Sequence, residues 1–332
     1  MENMNTLSLT EANHLSVCSQ RGLLFDIKSQ RKLTRLLAGK MGEEEVVEVL
    51  KKYLPKEWLI LRNVWLEIDG NRTEIDILVV APKYYWVIEV KNYEGKFEYQ
   101  DHLCYLNQKQ IPDQLAAYRN RMRIVKHIIQ KIPRYVPVVC GSMVFINERC
   151  QVTCEELPDC SLVMRYQLVW HIQEMLKLHQ QLTHYIKIED SLTLVQNYQI
   201  DNPFQPEQLN KSDFDKMAKG FCCPKCRKIN SQLEHRHVRC NNCQHRVTKT
   251  EAVLRAVCEL GVLYYDEPSI ITTARIFEFV GGAVNLRTIR NILKAYLPSY
   301  GKNSATTYHN YGATFEEIGH LFRKEVSKKI KA

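Results

Sequence analysis

Two short segments carry charged residues where a sheet interior would be apolar. Asp76 lies in the run EIDILVV at 74–80, and Glu89 and Lys91 lie in WVIEVK at 86–91. Because side chains alternate between the two faces of a strand, Glu89 and Lys91 point the same way. Charged groups among Val and Ile are costly to bury unless they are paired or bind a cation. The pattern therefore indicates a site with two carboxylates and a lysine.

Such a site has a clear chemical use. Two carboxylates, with a backbone carbonyl and water, suit octahedral Mg²⁺ or Mn²⁺. The ion can activate a bound water and offset negative charge on a phosphorane. Lys91 could orient that water or stabilise the developing charge. The alternative interpretation is an ordinary ion pair at a strand end, because the E-x-K tripeptide alone is common.

Two residues on predicted helices favour the catalytic interpretation. Glu43, Val46 and Leu50 follow the i, i+3, i+7 spacing of one face of a helix predicted over 32–54, which places Glu43 on the buried face. Gln114 lies near the start of a second helix and could hold a water or a phosphate oxygen. Its alternative interpretation is a polar residue in a first turn.

The elements that must position these residues read as an α/β domain. Three strands are predicted after the first helix, a helix opened by Pro112 follows, and then a strand and a strand–helix pair. The predicted strands are Trp58–Glu67, Thr73–Val80, Tyr84–Val90 and Val136–Ile146, with the strand–helix pair over Leu162–Gln180.

The order of these motifs resembles a known family. The motifs are GE at 42–43 with Val46 and Leu50, EID at 74–76, VIEVKNYEG at 87–95, and PDQ at 112–114. Over about residues 36–180 they resemble the NERD domain, the nuclease-related domain of the PD-(D/E)xK superfamily. The resemblance implies a restriction-endonuclease-like α-β-β-β-α-β core. It implies metal binding by Asp76, Glu89 and the Val90 carbonyl, catalysis by Lys91, and supporting roles for Glu43 and Gln114.

A second constellation predicts a zinc module. The pairs Cys223-x-x-Cys226 and Cys240-x-x-Cys243 are separated by 13 residues, a spacing that supplies four thiolates to one tetrahedral ion. Four thiolates leave no open position, so the zinc is expected to be structural, and the segment resembles a zinc ribbon. Alternative ligands are Cys222, His235, His237 and His245. Basic residues around the ligands suit phosphate contacts, with a protein-docking face as the alternative.

The remaining cysteines and the composition indicate the general class of protein and its compartment. Cys150, Cys154 and Cys160 fit no zinc template and are expected to be free thiols. With 45% hydrophobic and 25% charged residues, bulk disorder is not expected. No apolar run approaches the ~18 residues of a membrane span, and the first ten residues lack the pattern of a secretory signal. These features predict a cytoplasmic protein.

Charge is concentrated towards the C-terminus. Residues 1–200 hold 25 basic and 24 acidic residues, a net +1, whereas residues 201–332 hold 21 and 13, a net +8. An anionic partner is expected for the basic part. Residues 271–297 read as helix, turn, helix, with polar and basic residues early in the second helix, as in DNA-reading motifs. A helical bundle that does not bind DNA is the alternative. Residues Tyr308–Tyr311 could belong to a β-hairpin wing that follows the second helix.

These observations predict five segments: an N-terminal helical extension (1–35), the NERD domain (36–200), a linker (201–220), the zinc ribbon (221–249) and a helical domain with a candidate helix-turn-helix (250–332). The predicted function is metal-dependent hydrolysis of phosphodiester bonds, with DNA favoured over RNA as the substrate. The alternatives are a catalytically silent nucleic-acid-binding regulator and a zinc-dependent interaction adaptor. A homo-oligomer or a protein partner remains open, and no membrane is expected as a partner.

Overall fold

The computed structural model describes residues 10–23, 26–131, 138–154, 160–205, 209–265, 267–301 and 306–308. These residues form two compact units. The first comprises residues 35–201, and the second comprises the described parts of residues 7–34 and 202–332. Each unit has its own hydrophobic core.

The helices and strands run throughout both units. The α-helices are α1 (Glu11–Gln20), α2 (Ile27–Tyr53), α3 (Gln114–Ile129), α4 (Leu168–Gln181), α5 (Ile188–Tyr198), α6 (Lys211–Lys216), α7 (Lys249–Leu263), α8 (Thr273–Phe279) and α9 (Leu286–Tyr296). The strands are β1 (Leu59–Ile68), β2 (Asn71–Val80), β3 (Tyr84–Lys91), β4 (Gly95–Gln100), β5 (Leu103–Leu106), β6 (Lys109–Ile111), β7 (Val138–Phe145), β8 (Cys150–Cys154), β9 (Ser161–Met164), β10 (Ser231–Leu233), β11 (His237–Cys240), β12 (Arg246–Thr248), β13 (Ser299–Tyr300) and β14 (Thr307–Tyr308). None of the described helices is long and apolar enough to cross a membrane.

The first unit is built on a five-stranded sheet in the order β1-β2-β3-β7-β9. Strands β1 to β3 form an antiparallel meander, and β7 and β9 continue the sheet in parallel with β3. Helices α2 and α4 pack on one face, and α3 and α5 pack on the other. The α/β class and the order helix, three strands, helix, strand that the sequence predicts are confirmed.

A second sheet in this unit was not predicted. It has the strand order β6-β5-β4-β8 and covers residues 95–111 and 150–154. Its two hairpin turns place Asp101, His102, Asn107 and Gln108 at positive φ. Neither turn has the glycine that usually marks such a turn in a sequence, so strands of three to six residues left no clear signal.

Helix α3 begins slightly later in the sequence than predicted. Pro112 was expected to open this helix, but Asp113 is its N-cap and the helix begins at Gln114. The Asp113 carboxylate accepts hydrogen bonds from the amides of Leu115 and Ala116, both at 2.9 Å. A capping carboxylate satisfies two amides that have no partner within the helix, which fixes where the helix starts.

The second unit joins the cysteine-rich segment and the C-terminal helices through one core. Strands β10, β11 and β12 form a small antiparallel sheet, and α7 begins directly after β12. Val238 and Val247 of this sheet belong to the same hydrophobic cluster as α7, α8 and α9. The cysteine-rich segment and the helical region, predicted as two domains, therefore share a core.

The C-terminal part has the topology of a winged helix. Helix α7 is followed by a short connection that ends at Ile271, then by α8, a turn, α9 and the hairpin β13–β14. The amide of Tyr308 in β14 donates to the carbonyl of Ile271 at 2.8 Å, which ties the hairpin to the segment before α8. Gly281 and Gly282 make the turn between α8 and α9, with φ of +68° and +70°, a conformation that glycine adopts without strain. Tyr311, the far end of the predicted wing, lies outside the described residues.

The N-terminal helix α1 is anchored to this unit by a buried arginine. Arg21, with no exposed surface, pairs with Glu259 of α7 through Nε at 3.1 Å and also through Nη2. Its Nη1 donates to the carbonyls of Ala218 and Gly220, both at 2.9 Å. The guanidinium stacks on Phe279 at 3.8 Å. The described N-terminal residues thus belong to the C-terminal unit, where the sequence suggested only an extension.

Replacing Arg21 tests this anchor. The Arg21→Ala variant leaves Glu259 without its cation, and removing one partner of a buried pair costs about 3–5 kcal/mol. All four tryptophans, Trp58, Trp65, Trp86 and Trp170, lie in the first unit. We therefore expect urea unfolding followed by far-UV circular dichroism to show an early transition, while tryptophan fluorescence keeps its wild-type midpoint. The exposed Arg31→Ala variant is the control, and equal midpoints for both variants would contradict the role of Arg21.

Candidate active site and cysteine cluster

The register between β2 and β3 places Asp76 beside Glu89. Ile77 pairs with Ile88, so the two acids occupy the next positions of adjacent strands. The Asp76 carboxylate accepts a hydrogen bond from the amide of Val90 at 2.8 Å. Antiparallel pairing thus brings together two acids that are 13 positions apart in the sequence.

Glu89 lies between two cations. Its side chain is 2% exposed, and its Oε1 accepts a hydrogen bond from Lys91 Nζ at 2.7 Å. The Nε of Arg121, from α3, lies 3.0 Å from Oε2, but its hydrogen is donated to the carbonyl of Glu74 at 2.8 Å. Glu89 Oε2 is therefore a buried carboxylate oxygen that receives charge compensation but no hydrogen bond from the described side chains.

Gly42 lets α2 approach the sheet closely enough for Glu43 to join the site. A Cβ at Gly42 would lie 2.9 Å from Ile146 Cγ2 and 3.0 Å from Asn92 Cβ, too close for an ordinary contact. The side-chain amide of Asn92 also donates to the carbonyl of Ala38 at 2.7 Å, holding α2 at the end of β3. The Gly-Glu pair thus has a physical basis: the small residue permits the contact and the next residue supplies the acid.

The acids influence one another electrostatically. Burial and the nearby Glu74 raise the pKa of Glu43 to about 7. Burial, together with the charges of Glu89 and Glu43, raises the pKa of Asp76. Burial alone would lower the pKa of Lys91, but the charge of Glu89 raises it above its usual value. The site therefore favours a charged lysine and resists full ionisation of its carboxylates.

The structure brings Glu43, Asp76, Glu89 and Lys91 into one neighbourhood. Gln114 is placed differently: its side-chain amide donates to the carbonyl of Pro112 at 2.7 Å. Within the described residues, no hydrogen bond or ion pair joins Gln114 to the acids. Its supporting role, like the metal-binding role of the Val90 carbonyl, stays a prediction.

Two neighbours of the site were missed by sequence reasoning. Glu74 shares a strand face with Asp76, and its pKa is raised by burial, although Arg121 acts against this. Its position two residues before Asp76 on a predicted strand could have indicated that it shares the face of Asp76. For Arg121 the sequence indicates only a position one turn after the buried Tyr118, and the packing of α3 on the sheet brings it to Glu89.

The residues fit a divalent cation. Glu89 Oε2 lacks a hydrogen-bond donor, and burial with the charges of Glu89 and Glu43 raises the pKa of Asp76, so positive charge is favourable there. Asp76 and Glu89 would hold the ion as carboxylate ligands. Mg²⁺ usually keeps several waters and takes one or two protein carboxylates, so this sparse set of ligands suffices.

The four cysteines form a much tighter group. The Sγ atoms of Cys223, Cys226, Cys240 and Cys243 lie within 4.8 Å of one another, and among the described residues no other cluster of three or more such ligands is this compact. Cys223 and Cys243 are 3.6 Å apart, and Cys226 and Cys240 are 3.5 Å apart. The arrangement is consistent with a zinc ribbon.

Two matching turns build this group. In the first, the Arg227 amide donates to the Cys223 carbonyl, and in the second the Gln244 amide donates to the Cys240 carbonyl, both at 2.9 Å. Arg227 and Gln244, each just after the second cysteine of its pair, have φ of 60° and 59°. The backbone amide of Lys228 lowers the pKa of Cys226 to about 6, which favours the thiolate that a metal needs.

The alternative ligands lie outside the group. The Cys222 thiol bonds to the side-chain oxygen of Gln20 at 3.2 Å, and burial raises its pKa to about 12. His235, His237 and His245 are exposed and do not belong to the cluster. Cys150, Cys154 and Cys160 form no disulfide.

Comparison with known proteins agrees with the geometry. Residues 38–146 match the family described as Nuclease-related domain. This chain contains a nuclease-related domain. A curated relative, an uncharacterised protein of Bacillus anthracis, is 43% identical over 58 residues, which is 17% of this chain and 27% of the relative. The match thus spans about a quarter of the relative's length, and no solved structure matches the chain significantly.

The electrostatics of the nuclease-related domain give a pH-dependent prediction. Because the folded pKa of Glu43 is about 7 and its ordinary value is 4.5, folded protein retains a proton that unfolded protein loses. The stability from this group is full below the ordinary pKa and is lost as pH rises through the folded pKa. With no divalent cation added, Glu43→Gln should melt a few degrees above wild type at about pH 8, and the difference should vanish towards about pH 4.5.

Tryptophan fluorescence measures this melting, because the tryptophans lie in the same unit as Glu43. The control is Glu48→Gln, on the same helix but with a side chain that is 73% exposed. A pH-independent difference between Glu43→Gln and wild type would show that Glu43 is not held among like charges.

Proposed function

We propose that this protein is a metal-dependent nuclease of the PD-(D/E)xK type that hydrolyses phosphodiester bonds, with DNA as the preferred substrate over RNA. The observation that carries the proposal is the position of Glu89. It is buried beside Asp76 on the interior strands of an apolar sheet, with Lys91 on one oxygen and no hydrogen bond to the other. A purely structural ion pair leaves no reason for the additional acids, Glu43 and Glu74, to gather there.

The residues divide the chemistry between them. Asp76 and Glu89 would bind Mg²⁺ or Mn²⁺, with the Val90 carbonyl as a further ligand. The bound ion would supply a more acidic water and offset charge on the phosphate. Lys91 Nζ, held charged by Glu89, would donate to the attacking water or to a phosphate oxygen. Glu43, with a pKa near 7, could accept a proton from a water at physiological pH, and Gln114 would orient a water or a phosphate oxygen.

The second unit would hold the nucleic acid. Residues 201–332 carry nearly all of the net positive charge, 21 basic against 13 acidic residues. We propose that Cys223, Cys226, Cys240 and Cys243 bind a structural Zn²⁺, since four thiolates leave no open position. Because the small sheet shares a core with α7 to α9, zinc would stabilise the whole binding unit. The protein is proposed to act in the cytoplasm.

A cleavage assay tests the nuclease proposal, and the chain supplies its own matched control. Glu89-Val90-Lys91 is an E-x-K segment in the site, and Glu94-Gly95-Lys96 is a second one whose acid and lysine are 66% and 51% exposed. Wild type should cleave DNA with Mg²⁺ or Mn²⁺ and not with EDTA. Removing a group that stabilises the transition state lowers the rate about 10²–10³-fold. The cleavage rate of Glu89→Gln with Lys91→Ala should therefore fall by at least this factor, and so should that of Asp76→Ala.

Glu94→Gln with Lys96→Ala should keep wild-type cleavage. Linear, circular, single-stranded and double-stranded DNA, and RNA, define the substrate. No cleavage by any variant, with DNA still bound in a salt-dependent manner, would favour a silent regulator. If neither cleavage nor nucleic-acid binding occurs, an interaction adaptor that uses the cysteine-rich segment becomes the better explanation.

Zinc content provides a separate test with adjacent residues. Purified protein should contain one zinc per chain, measured by elemental mass spectrometry. Cys223→Ser should lose most of this zinc, because a ligand is missing, whereas Cys222→Ser should retain it, because that thiol bonds to Gln20 and lies outside the cluster. Equal zinc loss in both variants would contradict the assigned ligand set.

A further inference from the structure

Helix α9 presents an exposed face that carries only positive charge. Arg287, Arg290, Asn291 and Lys294 are all exposed, while Ile289, Ile292 and Leu293 are buried. Spacings of three and four residues place these side chains on one side of the helix. From Phe279 to Gly301 the sequence has no acidic residue, so nothing in this stretch neutralises the face.

The polar side chains of this face have no polar partner within the described protein. Within the described part of the chain, Arg287, Arg290, Asn291 and Lys294 make no side-chain hydrogen bond or ion pair. On the β11–β12 face, by contrast, Arg239 and Arg246 both lie 3.2 Å from Glu234. Long basic side chains left unpaired are available for an anionic partner, and this contrast favours α9 over the β11–β12 face.

The shape around α9 suits a wide groove. A cleft of about 610 Å³ runs along the helix, lined by Thr272, Thr273, Leu286, Arg290, Lys294 and Tyr308. An α-helix with its side chains is about 10–12 Å in diameter. The major groove of B-form DNA is about 12 Å wide and admits one α-helix. The major groove of A-form RNA is deep and narrow, and side chains cannot read it.

We propose that α9 binds in the major groove of double-stranded DNA, with Arg287, Arg290 and Lys294 contacting phosphates or guanine edges and Asn291 facing a base. The β13–β14 hairpin, tied to Ile271 beside α8, would lie alongside the duplex. The inference deepens the proposed function, because it assigns the surface that holds the substrate. It rests on that function only for the claim that the bound duplex is then cut.

Binding of the full chain to a fluorescent duplex tests the assignment. Ca²⁺ replaces Mg²⁺, so that the readout does not depend on cleavage. The variant is Arg287→Gln, Arg290→Gln and Lys294→Gln together. The control is Lys51→Gln, Lys52→Gln and Lys177→Gln, which removes the same charge from exposed positions of the first unit. Zinc content and circular dichroism should match wild type in both, since every altered side chain is exposed.

Each lost phosphate contact lowers the slope of log affinity against log salt by about 0.9. The α9 variant should therefore bind duplex DNA at least about 30-fold more weakly at ~0.1 M salt, with a slope lower by roughly 2–3. The control variant should change affinity less than about 3-fold. Equal weakening by both variants would overturn the assignment, as would wild-type preference for single-stranded DNA or for duplex RNA of the same sequence.

Groove contact is tested separately from phosphate contact. Replacing guanine by 7-deazaguanine removes the N7 acceptor at the major-groove edge and should weaken wild-type binding, with little further effect on the α9 variant. Unchanged wild-type affinity would overturn groove entry. Mg²⁺-dependent cleavage by the same proteins keeps the two proposals distinguishable. DNA binding through α9 without any cleavage would contradict only the nuclease, and cleavage with no role for α9 would contradict only this inference.

Discussion

The first unit depends on how like charges are tolerated on the interior strands of an apolar sheet. Asp76 and Glu89 occupy neighbouring positions of β2 and β3, and Glu43 and Glu74 add to the same negative field. Lys91 and Arg121 offset the charge on Glu89. Protonation relieves part of the remaining repulsion, as the pKa of Glu43 at about 7 shows. A divalent cation would relieve it more completely, and this links the cost of building the site to its proposed use.

Close packing brings the acids together. Gly42 allows α2 to contact Ile146 and Asn92, so Glu43 reaches the strands. Gly141 has a similar part on the other face, where a Cβ would overlap the Tyr118 hydroxyl of α3. That approach brings α3, and with it Arg121, onto the sheet. Small residues at two helix–sheet contacts therefore position charged groups from both faces of the sheet around β2 and β3.

The second unit depends on a shared core, because its parts are too small to fold alone. The ribbon strands have three or four residues, and α8 has only seven. A shared apolar core and the buried Arg21 join the N-terminal helix, the ribbon and the winged helix into one body. The cysteine cluster adds a further restraint that a metal would strengthen. We therefore expect the α9 surface to depend on residues far from it in sequence.

The sequence by itself determined the α/β class, the main strands and the identity of the chemical groups. Alternation in β2 and β3 and the two C-x-x-C spacings are local patterns, and local patterns follow from strand and turn geometry. Only the tertiary structure decided which residues meet. The proximity of Arg121 to Glu89, the bond of Cys222 to Gln20, the sheet formed by β4, β5, β6 and β8, and the joining of α1 to the winged helix are all contacts between distant segments. Such contacts depend on how complete faces pack, and no spacing along the chain specifies them.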